Sequence, residues 1–543
     1  MNRVTGINYS FAGQTKTAGY SYGKDGLKAN STLISGAQRS TVYDSLNRET
    51  SMSIGNLNRS VSYLNVSGNR TTTLPASLSY TQGGTTLLGT SYTYDALGNI
   101  TSMTVDGVTH TYTYDALNQL KTVSTSDNSY TASYNYDNGG NITSKTVNGT
   151  TISYGYGDTN WTDKLTSYNG QSITYDAIGN PLSYRGMTMS WTGRRLNSVT
   201  NNGTTSSYLY DADGIRTRKT VGSTMTEYFT SGSTILAEKT GSDVIWYIYD
   251  SDGEVLGFTY NGTPYYYIKN QQGDVCKVVT ASGSVVASYT YDAWGKVTSA
   301  SGSMANVNPI RCRSYYYDTE TGLYYVSSRY YDPETCRWIN ADKSENLLID
   351  QNSLVQHNLF AYCLNNPVNM VDPTGEIAIL TCVLIGAGIG MLLGAGHGAA
   401  SSYRRTGRIS WKETVKWAFI GGAIGAAAGY AFGIAIGAAG AGGSVGLSSQ
   451  AVRLARQAGK LTYSNTIKKH FATRAYYGST QLLQQIIRAA NPIKDASLKY
   501  GLKWLVPGSM AGRKVGTTIY GTWELVIDSA KNQIVHWLFK PYK

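Results

Sequence analysis

Residues 92–100 read YTYDALGNI, and the pattern returns as YTYDALNQL in residues 112–120 and as YNYDNGGNI in residues 134–142. Each copy joins alternating tyrosines to a turn rich in Gly or Asn, which predicts a strand, a tight turn and a second strand. Looser copies place their aspartates at Asp176, Asp211, Asp250 and Asp292. Because a single hairpin is not stable in water, the repeat predicts stacked hairpins that bury a continuous surface, with their tyrosines in ladders.

The amino-acid composition agrees with a repetitive β fold. The chain of 543 residues contains 45 Tyr but only 8 Phe, together with 60 Gly. Tyr and Thr suit pleated, half-buried surfaces, whereas Gly and Asn tolerate turn geometry. The five cysteines are odd in number and form no CxxC pair, so neither a disulfide framework nor a zinc site is predicted. The composition therefore favours a mainly β chain over a compact helical enzyme.

The repeat resembles the YD repeat of the RHS family. The resemblance extends to YYYDTETGLYYVSSRYYDPETCRWINAD in residues 315–342 and to NLFAYCLNNPVNMVDPTGE in residues 358–376, which look like the RHS-associated core. In that family the repeats form a hollow β-shell, the core plugs one end, and a variable toxin follows a DPxG motif. The resemblance implies a polymorphic toxin for competition between bacteria, with its boundary at the DPTG of residues 372–375.

The chain is predicted to have four parts in a mainly β fold. They are a β-shell of YD repeats (residues 1–300), an RHS core ending at DPTG (301–375), a Gly-rich hydrophobic helical segment (376–447) and a small, basic α+β toxin domain (448–543). Met1 leads into polar sequence, so a signal peptide is not expected, and the chain is predicted to be the end of a longer protein or to be exported by another route.

Two aspartates are candidates for self-cleavage at the core. Related shells release their toxin near the DPxG motif by means of aspartates, and the matching positions here are Asp342 and Asp372. Asp342 departs from the family motif, because Lys343 rather than Pro follows it. Aspartyl chemistry needs two carboxylates close enough to share a proton. The alternative is that both aspartates only cap turns.

The segment after the DPTG is apolar and glycine-patterned. Residues 377–400 and 418–443 are nearly continuous apolar runs with Gly at every fourth position over long stretches. Both runs exceed the roughly 20 residues that span a bilayer, and the glycines allow close helix packing. We predict a helical hairpin that contacts the membrane transiently during delivery through residues 377–443. The alternative is a hairpin packed inside the shell until release.

The last hundred residues carry the positive charge of the chain. Residues 444–543 contain fifteen Lys and Arg against three acidic residues, so they hold the whole surplus of +12. Such a concentration of positive charge favours binding to a polyanionic target or to an acidic protein partner. Two helical stretches followed by strands, with a WELVID…IVHWLF hairpin at the end, resemble the small RelE/barnase-like ribonuclease toxins.

The terminal residues suit RNA cleavage without a metal ion or a cofactor. Three acids and two histidines are too few for a usual metal site, whereas His transfers protons near neutral pH and Arg stabilises a phosphorane. The predicted catalytic residues are His470, Arg474, His536 and Thr522, and the predicted RNA- or phosphate-binding residues are Lys469, Lys514, Arg513 and Thr518. The alternatives are that His536 belongs to the core and that His470 is a solvated helix residue.

The sequence thus predicts a toxin that is secreted or displayed on the producing bacterium and acts in the cytoplasm of the target cell. The expected partners are an RNA substrate (tRNA or rRNA) and an acidic immunity protein that protects the producer. A membrane-active effector working through the glycine-patterned hairpin is one alternative. A non-toxic shell for adhesion or carbohydrate binding is another. An ADP-ribosyltransferase also stays open, but a zinc deaminase is disfavoured because residues 444–543 contain no cysteine.

Overall fold

The computed structural model describes residues 5–21, 30–46, 48–66, 70–250, 253–342 and 358–375, and the strands that lie beyond them. The chain divides into two compact units, Met1–Gly437 and Ala438–Lys543. The first unit contains two large antiparallel sheets in which every strand pairs with its neighbour in sequence. The predicted mainly β fold is confirmed.

The first sheet has sixteen strands in chain order. Its strands are β1 (Gly6–Phe11), β2 (Gln14–Ser21), β3 (Asn30–Thr32), β4 (Gln38–Tyr43), β5 (Glu49–Ile54), β6 (Leu57–Val66), β7 (Arg70–Gln82), β8 (Thr85–Tyr94), β9 (Ile100–Val105), β10 (Val108–Tyr114), β11 (Leu120–Thr125), β12 (Thr131–Tyr136), β13 (Ile142–Val147), β14 (Thr150–Gly155), β15 (Ser167–Tyr168) and β16 (Gln171–Ser172).

The second sheet has fourteen strands, again in chain order. Its strands are β17 (Thr174–Tyr175), β18 (Pro181–Tyr184), β19 (Met187–Thr192), β20 (Arg195–Asn201), β21 (Thr204–Tyr210), β22 (Arg216–Val221), β23 (Thr224–Ser231), β24 (Thr234–Thr240), β25 (Asp243–Tyr249), β26 (Val255–Tyr260), β27 (Thr263–Lys269), β28 (Val275–Thr280), β29 (Val285–Tyr291) and β30 (Val297–Ser301). This meander is what short hairpins in tandem produce.

The aspartate of each repeat closes the turn between two strands. In the turn after β8, Asp95 Oδ1 accepts hydrogen bonds from the main-chain N–H groups of Leu97 and Asn99 at 2.8 and 2.9 Å. Asp95 Oδ2 accepts a third from the Asn99 side chain at 2.9 Å. The same three bonds recur around Asp137. The Asp and the Asn of the repeat are therefore partners in one turn.

The second tyrosine of each repeat ties its hairpin to the preceding one. Tyr114 and Tyr136 donate their hydroxyl protons to the carbonyl oxygens of Ile100 and Leu120, each at 2.6 Å. Equivalent bonds join Tyr210 to Leu196, Tyr249 to Ile235 and Tyr291 to Val275. The tyrosine that precedes each of these by two positions is buried in the sheet, as at Tyr112 and Tyr134. The repeat thus encodes contacts between hairpins as well as within them.

A compact segment follows the second sheet. It contains a 3-10 helix (Cys312–Ser314), a four-stranded sheet, a second 3-10 helix (Cys363–Asn365) and a two-stranded sheet. The strands are β31 (Tyr316–Asp318), β32 (Leu323–Val326), β33 (Arg329–Asp332), β34 (Arg337–Trp338), β35 (Met370–Val371) and β36 (Ile379–Leu380). Ile379–Leu380 was predicted to be helical, but it pairs with Met370–Val371 as a strand, which gives its main-chain groups partners.

Asparagines of this segment bind three consecutive repeat turns. Asn369 Oδ1 accepts a hydrogen bond from the main-chain N–H of Ile100 at 2.7 Å. Further along, Asn366 donates to Asn99 at 3.2 Å, Asn365 to Gln119 at 2.8 Å and Asn358 to Asn141 at 2.7 Å. We call these four residues the asparagine comb. Each of these asparagines binds the last residue of a turn or the residue after it. The asparagine comb therefore fixes the segment in register with the first sheet.

A buried ion cluster joins the same segment to the second sheet. The Arg216 guanidinium contacts both Asp318 carboxylate oxygens, at 2.6 and 3.1 Å, and both side chains are fully buried. Lys219 Nζ lies 2.9 Å from Asp318 Oδ1 and 3.0 Å from Glu320 Oε1. The Tyr325 ring centroid lies 4.2 Å from the Arg216 guanidinium carbon. Buried charges of this kind are tolerated only when they are paired.

Asp292 closes the last repeat turn, where it is partly buried. Its Oδ1 accepts hydrogen bonds from the main-chain N–H groups of Trp294 and Lys296, each at 2.9 Å. Burial raises the pKa of Asp292 to about 6, although Lys145 opposes the shift. Folding therefore favours the protonated acid. The stability that this preference contributes is present at low pH and is lost as the pH rises to about 6 and above.

Replacing Asp292 with Asn should flatten this pH dependence. The amide keeps the acceptor oxygen of the turn but cannot ionise. Relative to wild type, the variant should gain about 1–2 kcal/mol of stability between pH 4.5 and pH 7. Thermal unfolding at both pH values measures the gain, and the exposed turn residue Asp137, changed to Asn, is the control. An equal response of wild type and Asp292→Asn to pH would contradict the prediction.

The second unit contains a five-stranded sheet in the order β37-β41-β40-β39-β38. The strands are β37 (Thr462–Tyr463), β38 (Ile493–Lys494), β39 (Gly501–Ala511), β40 (Thr518–Asp528) and β41 (Gln533–Pro541). Strand β37 is parallel to β41, and the other pairs are antiparallel. Strand β40 is continuous through Gly521, which pairs with Gly508 of β39 without a break in register. The predicted helices lie outside the described residues.

The predicted membrane segment, residues 377–443, lies outside the described residues except for β36. Within the part of the chain that the structure describes, no helix is both long and apolar enough to cross a bilayer. The contact of this segment with a membrane therefore stays a prediction.

Candidate functional site

One arginine lies between the two aspartates that the sequence singles out. Arg329 opens β33, Asp342 follows β34, and Asp372 follows β35. Arg329 Nη2 lies 3.1 Å from Asp342 Oδ2 and 3.4 Å from Asp372 Oδ2. The side chains of Arg329 and Asp372 are 6% and 3% exposed, and that of Asp342 is 12% exposed. Two carboxylates that are distant in sequence thus share one guanidinium nitrogen in a nearly dry site.

Contacts on other sides hold Arg329 in place. Its Nη1 donates to the Leu359 carbonyl oxygen at 3.1 Å, and its Nε donates to the carbonyl oxygen of Gly375. The guanidinium carbon lies 4.1 Å from the Trp338 ring centroid. The planar guanidinium suits such a site, because its donors point in fixed directions toward several acceptors. Arg329 therefore links β33 to both aspartates and to the end of the DPTG motif.

Asp372 shapes the DPTG turn. Its Oδ1 accepts hydrogen bonds from the main-chain N–H groups of Gly375 and Thr374, at 2.9 and 3.3 Å. Gly375 has a φ of +75°, and a Cβ atom there would lie 2.6 Å from the Val326 carbonyl oxygen. Glycine is thus required by both conformation and space. The motif places Asp372 so that one carboxylate oxygen closes the turn while the other faces Arg329.

The carbonyl groups of the junction are held by donors. The Thr374 carbonyl oxygen accepts from Ser328 Oγ at 2.8 Å and from the Ser328 main-chain N–H at 3.3 Å. The next carbonyl, that of Gly375, accepts from Arg329. The contact with Ser328 is exposed to solvent, whereas the contact with Arg329 is buried. A donor in a buried site polarises a carbonyl and stabilises negative charge on its oxygen. The junction therefore combines one buried, polarised carbonyl with two nearby carboxylates.

This set of groups fits peptide hydrolysis by aspartates. An ionised carboxylate can take a proton from water, and a second carboxyl group, when it is protonated, can give its own proton to the leaving nitrogen. The positive charge of Arg329 offsets the repulsion between the two carboxylates. Among the described residues, no group of three or more His, Cys, Asp and Glu side chains is placed to hold a metal ion.

The predicted residues of the terminal domain are described only in part. Thr518 and Thr522 lie on β40, where they pair with Ala511 and Pro507 of β39. His536 lies on β41 and pairs with Val526, whereas Thr522 pairs with Lys540 on that side. His536 and Thr522 are therefore on neighbouring strands but not opposite each other. The other predicted residues, which are His470, Arg474, Lys469, Arg513 and Lys514, lie outside the described residues.

Arg329, Ser328 and Tyr315 were not predicted from the sequence as residues of this site. Arg329 stands in the aromatic sequence SSRYYD, and a basic residue inside a buried aromatic strand was an available signal. Ser328 and Tyr315 act through contacts with Thr374 and Asp372, which are distant in sequence. No pattern in the neighbouring sequence indicates these contacts.

Comparison with known proteins supports the shell. The family model described as teneurin YD-shell matches residues 37–368. The tRNA3(Ser)-specific nuclease WapA of Bacillus spizizenii is 37% identical over 229 residues, which are 40% of this chain and 10% of the relative. Toxin protein Tse5 of Pseudomonas aeruginosa is 33% identical over 218 residues, which are 34% of this chain and 15% of the relative. The chain thus spans only a small part of the length of these curated relatives.

A solved structure has the same fold. The crystal structure of TcdB2-TccC3-Cdc42 superposes with a TM-score of 0.53 at 18% identity, covering 67% of this chain and 22% of that one. The predicted RHS/YD-repeat shell, of the type that carries polymorphic toxins, is confirmed by these matches. Since the matched residues make up more than half of the sequence, the chain belongs to the teneurin YD-shell family.

Proposed function

We propose that the chain belongs to an RHS-type polymorphic toxin, in which a YD-repeat shell delivers a C-terminal RNA-cleaving domain after self-cleavage at the DPTG junction. The observation that carries the proposal is the shared contact of Arg329 with Asp342 and Asp372. The two carboxylates, that of Asp372 buried and that of Asp342 12% exposed, lie beside the DPTG motif, which begins four residues after the matched shell ends at residue 368.

The proposed self-cleavage is a hydrolysis. A water oxygen adds to a carbonyl carbon of the junction, the carbon–nitrogen bond breaks, and the water protons end on the new carboxyl group and the leaving nitrogen. Asp342 and Asp372 supply the proton transfers, and Arg329 and Ser328 hold the carbonyl groups. Asp342 serves this role although its motif departs from DPxG, because its carboxylate reaches the same guanidinium as that of Asp372.

The proposed payload cleaves RNA without a metal ion. The relative from Bacillus spizizenii is a tRNA nuclease by name, which supports tRNA as the substrate. The surplus of +12 in residues 444–543 favours binding of a polyanion. His470 and His536 transfer the protons, and Arg474 stabilises the charge that develops on the phosphate. Thr522 positions the reacting hydroxyl, while Lys469, Lys514, Arg513 and Thr518 bind the RNA.

Expression of the chain in bacteria tests the payload. Wild type should arrest growth and fragment the RNA, because residues 444–543 would cleave it. His470→Ala and His536→Ala should each reduce cleavage at least about 100-fold, the range of one lost general acid or base. Total RNA on a denaturing gel measures this, and His397→Ala, outside the basic domain, is the matched control. Arrest with intact RNA would refute the ribonuclease and favour another target.

The proposed partner in the producing cell is an acidic immunity protein, which the basic domain would bind by charge complementarity. The toxin would leave the producer or its surface and act in the cytoplasm of the target cell. Residues 377–443 would contact the membrane on the way. Dye leakage from liposomes by the chain, and its loss in Gly425→Ile, would support that contact.

A further inference from the structure

A single tyrosine hydroxyl holds both main-chain polar groups of Asp372. Tyr315 Oη donates to the Asp372 carbonyl oxygen at 2.8 Å and accepts from the Asp372 main-chain N–H at 3.0 Å. Tyr315 is 5% exposed and Asp372 is 2% exposed. Water is therefore a poor substitute for either bond. The hydroxyl fixes the main chain of this one residue from both sides.

A second tyrosine orients the first. Tyr362 Oη lies 3.2 Å from Tyr315 Oη. A phenol has one proton to donate, and Tyr315 gives it to Asp372, so Tyr362 must donate in this pair. The Tyr362 ring is stacked on that of Tyr331 with centroids 3.9 Å apart, which restrains Tyr362 in turn. The Tyr315 hydroxyl thus has one donated and two accepted hydrogen bonds, all in fixed directions.

The direction of the Asp372 carboxylate depends on this contact. With its main chain fixed, Asp372 points Oδ1 at the N–H groups of the DPTG turn and Oδ2 at Arg329. A rotation of the main chain would move both oxygens together. Displacement of a catalytic group by about 1 Å can cost about 100-fold in rate. The contact between Tyr315 and Asp372 is therefore placed to affect chemistry more than packing.

Neighbouring tyrosines give a useful contrast. Tyr324 is fully buried and donates its hydroxyl proton to the Gly295 carbonyl oxygen at 2.9 Å. This bond resembles that of Tyr315 in burial and length, but it ends on a repeat turn and not on Asp372. Removal of either hydroxyl leaves one buried carbonyl without its donor. Removal of the Tyr315 hydroxyl also takes the acceptor from the Asp372 main-chain N–H and from the Tyr362 hydroxyl, so Tyr315→Phe should cost more stability.

We propose that Tyr315 is a positioning residue for self-cleavage, which holds Asp372 so that its carboxylate faces Arg329 and Asp342. The inference rests on the proposed function, since it assumes hydrolysis at the junction. Tyr315 exchanges no proton with the substrate. It acts through Asp372, and Tyr362 acts through Tyr315.

The test uses the full chain, purified in urea and refolded by dilution into buffers from pH 5 to pH 8. The release of the C-terminal fragment is followed on gels over time. Tyr315→Phe should slow cleavage about 100-fold and change the pH at which the rate is greatest, because the carboxylate loses its fixed surroundings. Tyr324→Phe should change neither the rate nor its pH profile by more than about twofold.

A stability measurement separates positioning from packing. Tyr315→Phe and Tyr324→Phe are each combined with Asp372→Asn, which keeps the chain uncut, and thermal unfolding is compared. Tyr315→Phe should unfold at the lower temperature of the two, because it loses more hydrogen bonds, but both variants should be fully folded at the temperature of the cleavage assay. Slow cleavage by a Tyr315→Phe chain that is folded at that temperature supports the positioning role.

Equal cleavage by Tyr315→Phe and wild type would overturn the role of Tyr315 and leave the proposed function standing. So would equal slowing by Tyr315→Phe and Tyr324→Phe with an unchanged pH profile. A wild-type chain that stays whole at every pH would instead refute self-cleavage itself, and the inference with it.

Discussion

Asp372→Asn is expected to leave the whole chain uncut. The amide keeps an oxygen to accept hydrogen bonds from Thr374 and Gly375, so the DPTG turn can form as before. It loses the negative charge and the ability to exchange a proton with water. One general acid or base contributes about 10²–10⁴-fold in rate, so cleavage should fall by about 1,000-fold or more. Intact mass and gel mobility of the purified protein measure the result.

A turn aspartate of the shell provides the control for this variant. Asp137 accepts main-chain hydrogen bonds from Gly139 and Asn141 much as Asp372 accepts them from its own turn. Asp137→Asn should be cut like wild type, whereas Asp342→Asn should fail like Asp372→Asn. If Asp372→Asn were cut at the wild-type rate, Asp372 would only cap a turn, and the processing role would be wrong.

Arg216→Met is expected to destabilise the shell strongly. The variant leaves Asp318 buried beside Lys219 and without the two hydrogen bonds that Arg216 supplies at 2.6 and 3.1 Å. It also removes a cation from the ring face of Tyr325. Removal of one member of a buried ion pair costs about 3–5 kcal/mol, because the partner stays charged in a dry place. Urea or thermal unfolding of the soluble fraction measures the loss.

The neighbouring Arg218 is the matched control. It lies on the same strand, but its side chain is 44% exposed and its nearest carboxylate, that of Glu227, is 3.9 Å away. Exposed pairs of this kind contribute at most about 1 kcal/mol. Arg218→Met should therefore unfold close to wild type. If the two variants unfolded alike, the cluster around Asp318 would be neutral for stability.

The repeat could be predicted because its contacts are local. Asp95 and Asn99 are four residues apart, and so are Asp137 and Asn141, so the turn and its spacing appear directly in the sequence. The second tyrosine binds a carbonyl one hairpin earlier, which tandem copies also place within reach. Because the pairing is local and the unit repeats, both the strand order and the fold class could be predicted from the sequence.

Only some residues of the candidate site could be predicted from the sequence. The resemblance to RHS cores pointed to Asp342 and Asp372, but Arg329 and Tyr315 meet Asp372 through tertiary contacts that leave no spacing in the sequence. The terminal domain shows the same limit. Alternating apolar residues revealed β40 and β41, whereas the relation of His536 to Thr522 depends on the register between these strands.

The asparagine comb makes the order of assembly matter. Asn369 and Ile100 are separated by 269 residues, and Asn358 and Asn141 by 217. Contacts that close such long loops form only after the intervening hairpins have collapsed, because the entropy of closure must be offset first. Asp372 lies three residues beyond Asn369. The asparagine comb and Asp372 should therefore reach their final positions together. If the proposed self-cleavage takes place, it would therefore wait until the shell is complete, and an incomplete shell would keep the C-terminal domain attached.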